Sequence, residues 1–263
     1  MDVKMIYSAL LLATGGLAVA LSVYATRGNH RHRLNRLFLL SAAALVIWAL
    51  GLSVTGSAQT ERVSAIGHCV ALVGRSLIPA LTLHFVLAVI GQDEWIKKWW
   101  RCLLVYLPGA ITAFAGAVLP LLGVRSDALT QTAYGWANAA NTGWDWLSYA
   151  HTLVFLLVGS MLLLRWGAQP REQEKKKQAY ILAYALAAGG LLSVLADMLL
   201  ALTGIRFPQI AAIFFNIPMI AIGYCIARYR FLQPGKIDPN EWMLSKAALA
   251  HVYRYFGLGV MLA

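Results

Sequence analysis

At 263 residues, 60% of them hydrophobic and only 13% charged, the chain is too apolar for an ordinary water-soluble domain, where about a quarter of residues carry charge. Its net charge of +11 sits in short clusters between apolar runs, the pattern of loops at an anionic membrane surface. Nucleic acid is therefore excluded as a partner, and the lipid bilayer is expected in its place.

A bilayer core about 30 Å thick requires roughly 20 apolar residues per helical crossing. Seven stretches meet that demand, and together they predict an all-α integral membrane bundle of seven transmembrane helices. The first runs from Met5 to Tyr24. It has no small-residue cleavage pattern behind it, so it reads as a retained helix and not a signal peptide. The connection that follows carries Arg27, Arg31, Arg33 and Arg36, and leads to a second span from Leu37 to Gly56. The third span runs from Ser64 to Ile90 and is followed by Lys97, Lys98 and Arg101; the fourth runs from Cys102 to Gly123.

The connection from Val124 to Gly143 holds Tyr134 and Trp136 and is followed at once by Trp144 and Trp146, aromatic residues suited to a water-lipid interface. It is expected to form a lid over one face. The fifth span, Trp144 to Leu164, precedes Arg165, Arg171 and Lys175 to Lys177; the sixth and seventh run from Ala179 to Thr203 and from Pro208 to Ala227. Cytoplasmic loops hold the excess of Lys and Arg. That rule places the N-terminus outside and the C-terminus in the cytoplasm, with only Lys4, Arg62, Arg125 and Arg206 on the outer side.

After Tyr229 the composition changes. Pro234, Gly235 and Pro239 break the helix, and Asp238-Pro239-Asn240-Glu241 has the order of a helix start, with a capping acid and proline in the first turn. A juxtamembrane helix to Tyr255 is expected. The apolar residues Phe256 to Ala263 stop without a polar tail, which predicts that the sequence ends at the start of a further segment. Two units result: a membrane domain over 1–232, and the juxtamembrane helix with the beginning of that further segment over 233–263.

Charges inside a membrane helix are costly and mark candidate sites. Arg75 lies near the middle of the third span and Asp197 in the outer half of the sixth; at about 1.5 Å per residue they stand roughly 3 Å and 10 Å outward of their helix centres, within reach of an ion pair. His68, His151 and Asn216 fall at similar depth, and His68 is seven residues from Arg75, on the same helical face. These residues, with Trp48 for apolar contact, are the predicted ligand-binding set, while the alternative is a structural pair with helix-bridging hydrogen bonds. His84 lies round the helix from Arg75 and nearer the cytoplasm, outside that set. Pro218 marks a break in the last span, and Arg228, Tyr229 and Arg230 would carry a displacement inward.

Cys69, Cys102 and Cys225 show neither disulfide nor metal-ligand spacing. There is no Gly-rich phosphate loop, zinc-binding His pair or nucleophile elbow, so no catalytic residue, metal or cofactor is expected. The seventh span lacks the lysine a retinal protein needs. No internal repeat of the kind many transporters carry is found, although a transporter or permease-like subunit stays open as the alternative.

The stretch Gly223-Tyr224-Cys225-Ile226-Ala227-Arg228-Tyr229-Arg230-Phe231-Leu232, with Arg36-Leu37-Phe38-Leu39-Leu40 and Trp48 in the second span and Pro79-Ala80-Leu81-Thr82-Leu83-His84-Phe85 in the third, resembles the N-terminal seven-transmembrane sensor region of bacterial histidine kinases. The resemblance covers residues 1–232. It implies a multi-pass protein of the bacterial inner (plasma) membrane that detects an extracellular or membrane-dissolved small-molecule signal. The signal would pass to a cytoplasmic histidine kinase or diguanylate cyclase, with a homodimer wherever such an output is attached. No such domain lies in this chain, so any enzymatic activity would belong to that output.

Overall fold

A segment immersed in hydrocarbon must satisfy its own backbone N–H and C=O groups, and a helix does so without help from its neighbours. The computed structural model describes residues 3–26, 33–123, 129–132, 135–138, 143–169, 173–203 and 209–229, and it is helical wherever the sequence is continuously apolar. The helices are α1 (Val3–Thr26), α2 (Arg33–Ser57), α3 (Glu61–Val89), α4 (Trp99–Leu121), α5 (Gly143–Ala168) and α6 (Gln173–Thr203). All six are apolar enough to cross a membrane over their own length or most of it. The seventh apolar stretch is shorter: one turn, Ala211–Phe214, is separated by Phe215 from α7 (Asn216–Tyr229). The expected juxtamembrane helix and the rest of 233–263 lie outside the described residues.

Local chemistry sets the ends. Thr60 caps α3 by accepting a hydrogen bond from the Val63 N–H at 3.4 Å, and Glu61 in the first turn complements the helix dipole. After α3, Gly91 turns the chain with φ of 74°, and a 3₁₀ segment at Asp93–Lys97 leads into α4. The later part of α4 contains a π-helical turn at Phe114–Val118.

Bonds between elements fix which helix ends lie together. Tyr7 donates to the Gln209 carbonyl at 2.8 Å, joining the start of α1 to the approach to the seventh segment. The end of α2 meets the same region, since a side chain at Gly56 would run into the Tyr7 ring. At the opposite end Arg33, at the start of α2, forms an ion pair with Asp93, just after α3.

The connection expected to be a lid contains an antiparallel hairpin, β1 (Leu129–Thr132) with β2 (Gly135–Asn138), Leu129 facing Asn138 and Thr132 facing Gly135. Trp136 Nε1 donates to the Ala58 carbonyl at 2.9 Å, which pins the hairpin to the α2–α3 connection. Gly135 has φ of 115° and its Cα lies so close to the Gly56 backbone that a Cβ has no room.

The core is built around α3, the most buried of the six long helices, and its closest partner is α2. Gly51, Gly67 and Gly74 let these two backbones approach; a Cβ on Gly67 would stand 2.8 Å from the Thr55 nitrogen. Ser64 Oγ donates to the Thr55 carbonyl at 3.3 Å across the same seam. By contrast α4 is the least buried long helix, with Leu103, Leu104, Leu107, Ile111 and Phe114 exposed.

Candidate functional site

Among the polar side chains held inside the bundle, three of the six predicted binding residues converge. Trp48 of α2, Arg75 of α3 and Asp197 of α6 line one internal cavity, closed by Tyr149 and Thr152 of α5, Ser193 of α6, and Ala211 and Phe215 of the interrupted seventh segment. Its free space is about 10 Å³, room for roughly one water molecule. Arg75 and Asp197 are 5% and 4% exposed, so both charges are out of bulk solvent.

The expected Arg75–Asp197 ion pair is not formed: among the described residues the ion pairs are Arg33–Asp93 and Lys97–Glu94. Arg75 instead lays its guanidinium over the Tyr149 ring, 4.6 Å from the centroid, an electrostatic attraction to the ring face. Asp197 lies beside the backbone N–H groups of Ile210 and Ala211, short of hydrogen-bond geometry, so its carboxylate faces the amino end of the seventh segment. Arg75 Nη1, both Asp197 carboxylate oxygens and Trp48 Nε1 are buried without a hydrogen-bond partner. Buried polar groups are nearly always paired, so this concentration around one cavity is unusual. Ser193, four residues before Asp197 on α6, donates to the Ala211 carbonyl at 2.9 Å, and Trp48 meets Phe215 edge-on at 5.5 Å. Both contacts tie the cavity wall to the interruption before α7.

The other predicted residues do not line the cavity. His151 is buried on α5, edge-on to Phe155 at 4.5 Å, and approaches Gly109 of α4. Asn216 Nδ2 donates to Thr14 Oγ1 of α1 at 3.1 Å. His68 is buried on α3 and is not part of the cavity wall. Pro218 falls in the first turn of α7, where a missing N–H costs nothing, and packs against Gly189 of α6; the interruption itself is at Phe215. Arg228 and Tyr229 lie on the last turn of α7, with side chains outside what the structure describes, and Arg230 is outside the described residues.

Sequence reading missed Tyr149, Thr152, Ser193 and Phe215, and also Asp145, a buried acid one turn before Tyr149 whose charge reaches Arg75. The signals were present: Asp145, Tyr149 and Thr152 recur at helical spacing, as do Ser193 and Asp197.

A second polar cluster lies at the basic end, built around His84, which the sequence reading set aside. Arg33 Nη2 donates to His84 Nε2 at 3.2 Å, which leaves the ring proton on Nδ1 to donate to Tyr106 Oη at 2.7 Å. With the Arg33–Asp93 ion pair, this chain ties α2, α3, the 3₁₀ segment and α4 together. No metal-holding group of His, Cys, Asp and Glu occurs among the described residues.

No curated protein matches the chain. A family model described as the N-terminal 7TM region of histidine kinase matches residues 10–234, nearly all of the membrane part. The chain belongs to that family of membrane regions, the N-terminal 7TM regions of histidine kinases.

Proposed function

We propose that this region is a sensor in which a small extracellular or membrane-dissolved signal acts on the Arg75–Asp197 cavity and moves the seventh helix. One observation carries the reading: the buried groups without partners lie against Ala211 and Phe215, at the interruption before α7. The space beside them holds about one water molecule, so a signal works by stabilising an opened arrangement. In that arrangement Asp197 and the amino end of the seventh segment separate or tighten, and α7 shifts as a unit. The seventh segment is taken as the last of seven crossings, with the N-terminus outside. The shift then arrives on the cytoplasmic side at Arg228, Tyr229 and Arg230, and passes to a histidine kinase or diguanylate cyclase of a homodimeric protein in the inner membrane.

The test has two parts. Reading the gene past codon 263 should reveal an in-frame kinase or cyclase; a stop codon beside an ATPase or exporter gene would overturn the sensor in favour of transport. In the intact protein, Asp197→Asn and Arg75→Gln should each change signal-independent output by about 10-fold, equal to ~1.4 kcal/mol between two arrangements, at parental membrane levels. Parental output from both variants would overturn the role of the cavity.

A further inference from the structure

A second space on the molecule is separate from the buried cavity. A groove of about 610 Å³ runs between the first turns of α1, the end of α2 with its connection to α3, and β1. That volume falls within the range of about 300–1,000 Å³ typical of small-molecule sites. Its chemistry is divided along its length. Met5 and Leu12, 65% and 51% exposed, give one side an apolar wall open to lipid. Lys4, Gln59 and Gln131 give the other side a cation and two amides at the hairpin. The framework is held in place: Ser8 Oγ donates to the Ser53 carbonyl at 3.3 Å, and Trp136 anchors the hairpin to Ala58, beside Gln59.

We propose that this groove binds a single-chain amphiphile with an anionic head, of the fatty-acid type, entering from the lipid. The tail lies along Met5, Ala9 and Leu12, and the head meets Lys4 and the side-chain amides of Gln59 and Gln131. The polar-to-apolar order of the lining matches a molecule lying at the membrane surface, and among the described residues of the wall the charged one, Lys4, is a cation. Occupancy bears on the same element as the buried cavity, because α1 is bonded to the seventh segment at two levels, Tyr7 to Gln209 and Thr14 to Asn216. That coupling rests on the sensor reading; binding does not.

The experiment therefore measures binding alone, on the chain in lipid nanodiscs, by the fluorescence of 11-(dansylamino)undecanoic acid and of its methyl ester. The acid should bind above empty nanodiscs and at least tenfold tighter than the ester. Lys4→Glu should weaken the acid at least tenfold and leave the ester unchanged, and Ala9→Trp, which fills the groove, should weaken both, with thermal melts showing each variant folded. Signal equal to empty nanodiscs, equal affinity for acid and ester, or parental affinity in both variants would each overturn the proposal. A positive result with no effect of either Asp197→Asn or Arg75→Gln on output would leave this site standing and remove the sensor reading of the buried cavity.

Discussion

A guanidinium and a carboxylate buried in the same cavity without touching pose an energetic question, because each carries a desolvation cost that a direct bond would offset. Arg75 offsets part of its own against the Tyr149 ring, and Asp197 against the amino end of the seventh segment. Replacing one charge leaves the other uncompensated, at a cost of about 3–5 kcal/mol in soluble proteins. Because no bond joins them here, the coupling is expected to be smaller, about 0.5–1.5 kcal/mol. Thermal unfolding in detergent of Arg75→Leu, Asp197→Leu and the double variant measures it directly; strict additivity would show that each charge is compensated only by its own neighbours. The sequence made both charges visible, since a charge in an apolar run stands out. Direction was harder to read. A rise of about 1.5 Å per residue gives depth, but only packing decides which way His151 or Asn216 points, and these turned toward α4 and α1.

Among the elements, the pairing of α2 with α3 depends on the absence of side chains. Hydrocarbon offers no hydrophobic drive to join two helices, so association rests on close van der Waals approach and on hydrogen bonds such as Ser64 to Thr55. A Cβ at Gly67 would meet the Thr55 backbone, whereas one at Gly16 of α1 would meet nothing within 4 Å. Gly67→Ala is therefore expected to destabilise by about 1–3 kcal/mol, the usual cost of overpacking. Gly16→Ala should be neutral or slightly stabilising, because alanine favours helix over glycine. Equal melting temperatures for the two variants in detergent would show that the seam tolerates separation. The helices were legible because lipid demands long apolar runs, and their bounds fall within six residues of the reading, the widest miss being the start of α6 at Gln173 against the expected Ala179. Shorter features were less so: the hairpin's four-residue strands depend on Gly135 fitting against Gly56, and the interruption at Phe215 falls three residues before Pro218, where the sequence marked a break without fixing its position.

On the scale of the whole molecule the two ends differ in charge and are alike in their aromatic residues. Alternating helices bring the starts of α1, α3 and α5 and the interrupted start of the seventh segment to the end that carries the hairpin, where Trp144 and Trp146 are exposed. The other end gathers Arg33, Arg36, Lys97, Lys98, Arg101, Arg165 and Lys175 to Lys177. Trp95, Trp99 and Trp100 are exposed there, and Arg101 lies over the Trp95 and Trp100 rings at 5.0 Å and 4.8 Å. Both ends thus carry the aromatic residues of a membrane interface, but one end carries nearly all the cations, which is the asymmetry that retains loops in the cytoplasm. Reporter fusions after Arg36, Arg101, Gln173 and Pro234 are expected to score cytoplasmic, and fusions after Gln59, Asn138 and Ile205 external. The Ile205 and Pro234 fusions carry the most weight, because they flank the seventh apolar segment, which is shorter than the other six. If both scored external, that segment would lie within the bundle without crossing. A signal at the cavity would then have no route to a cytoplasmic output through α7.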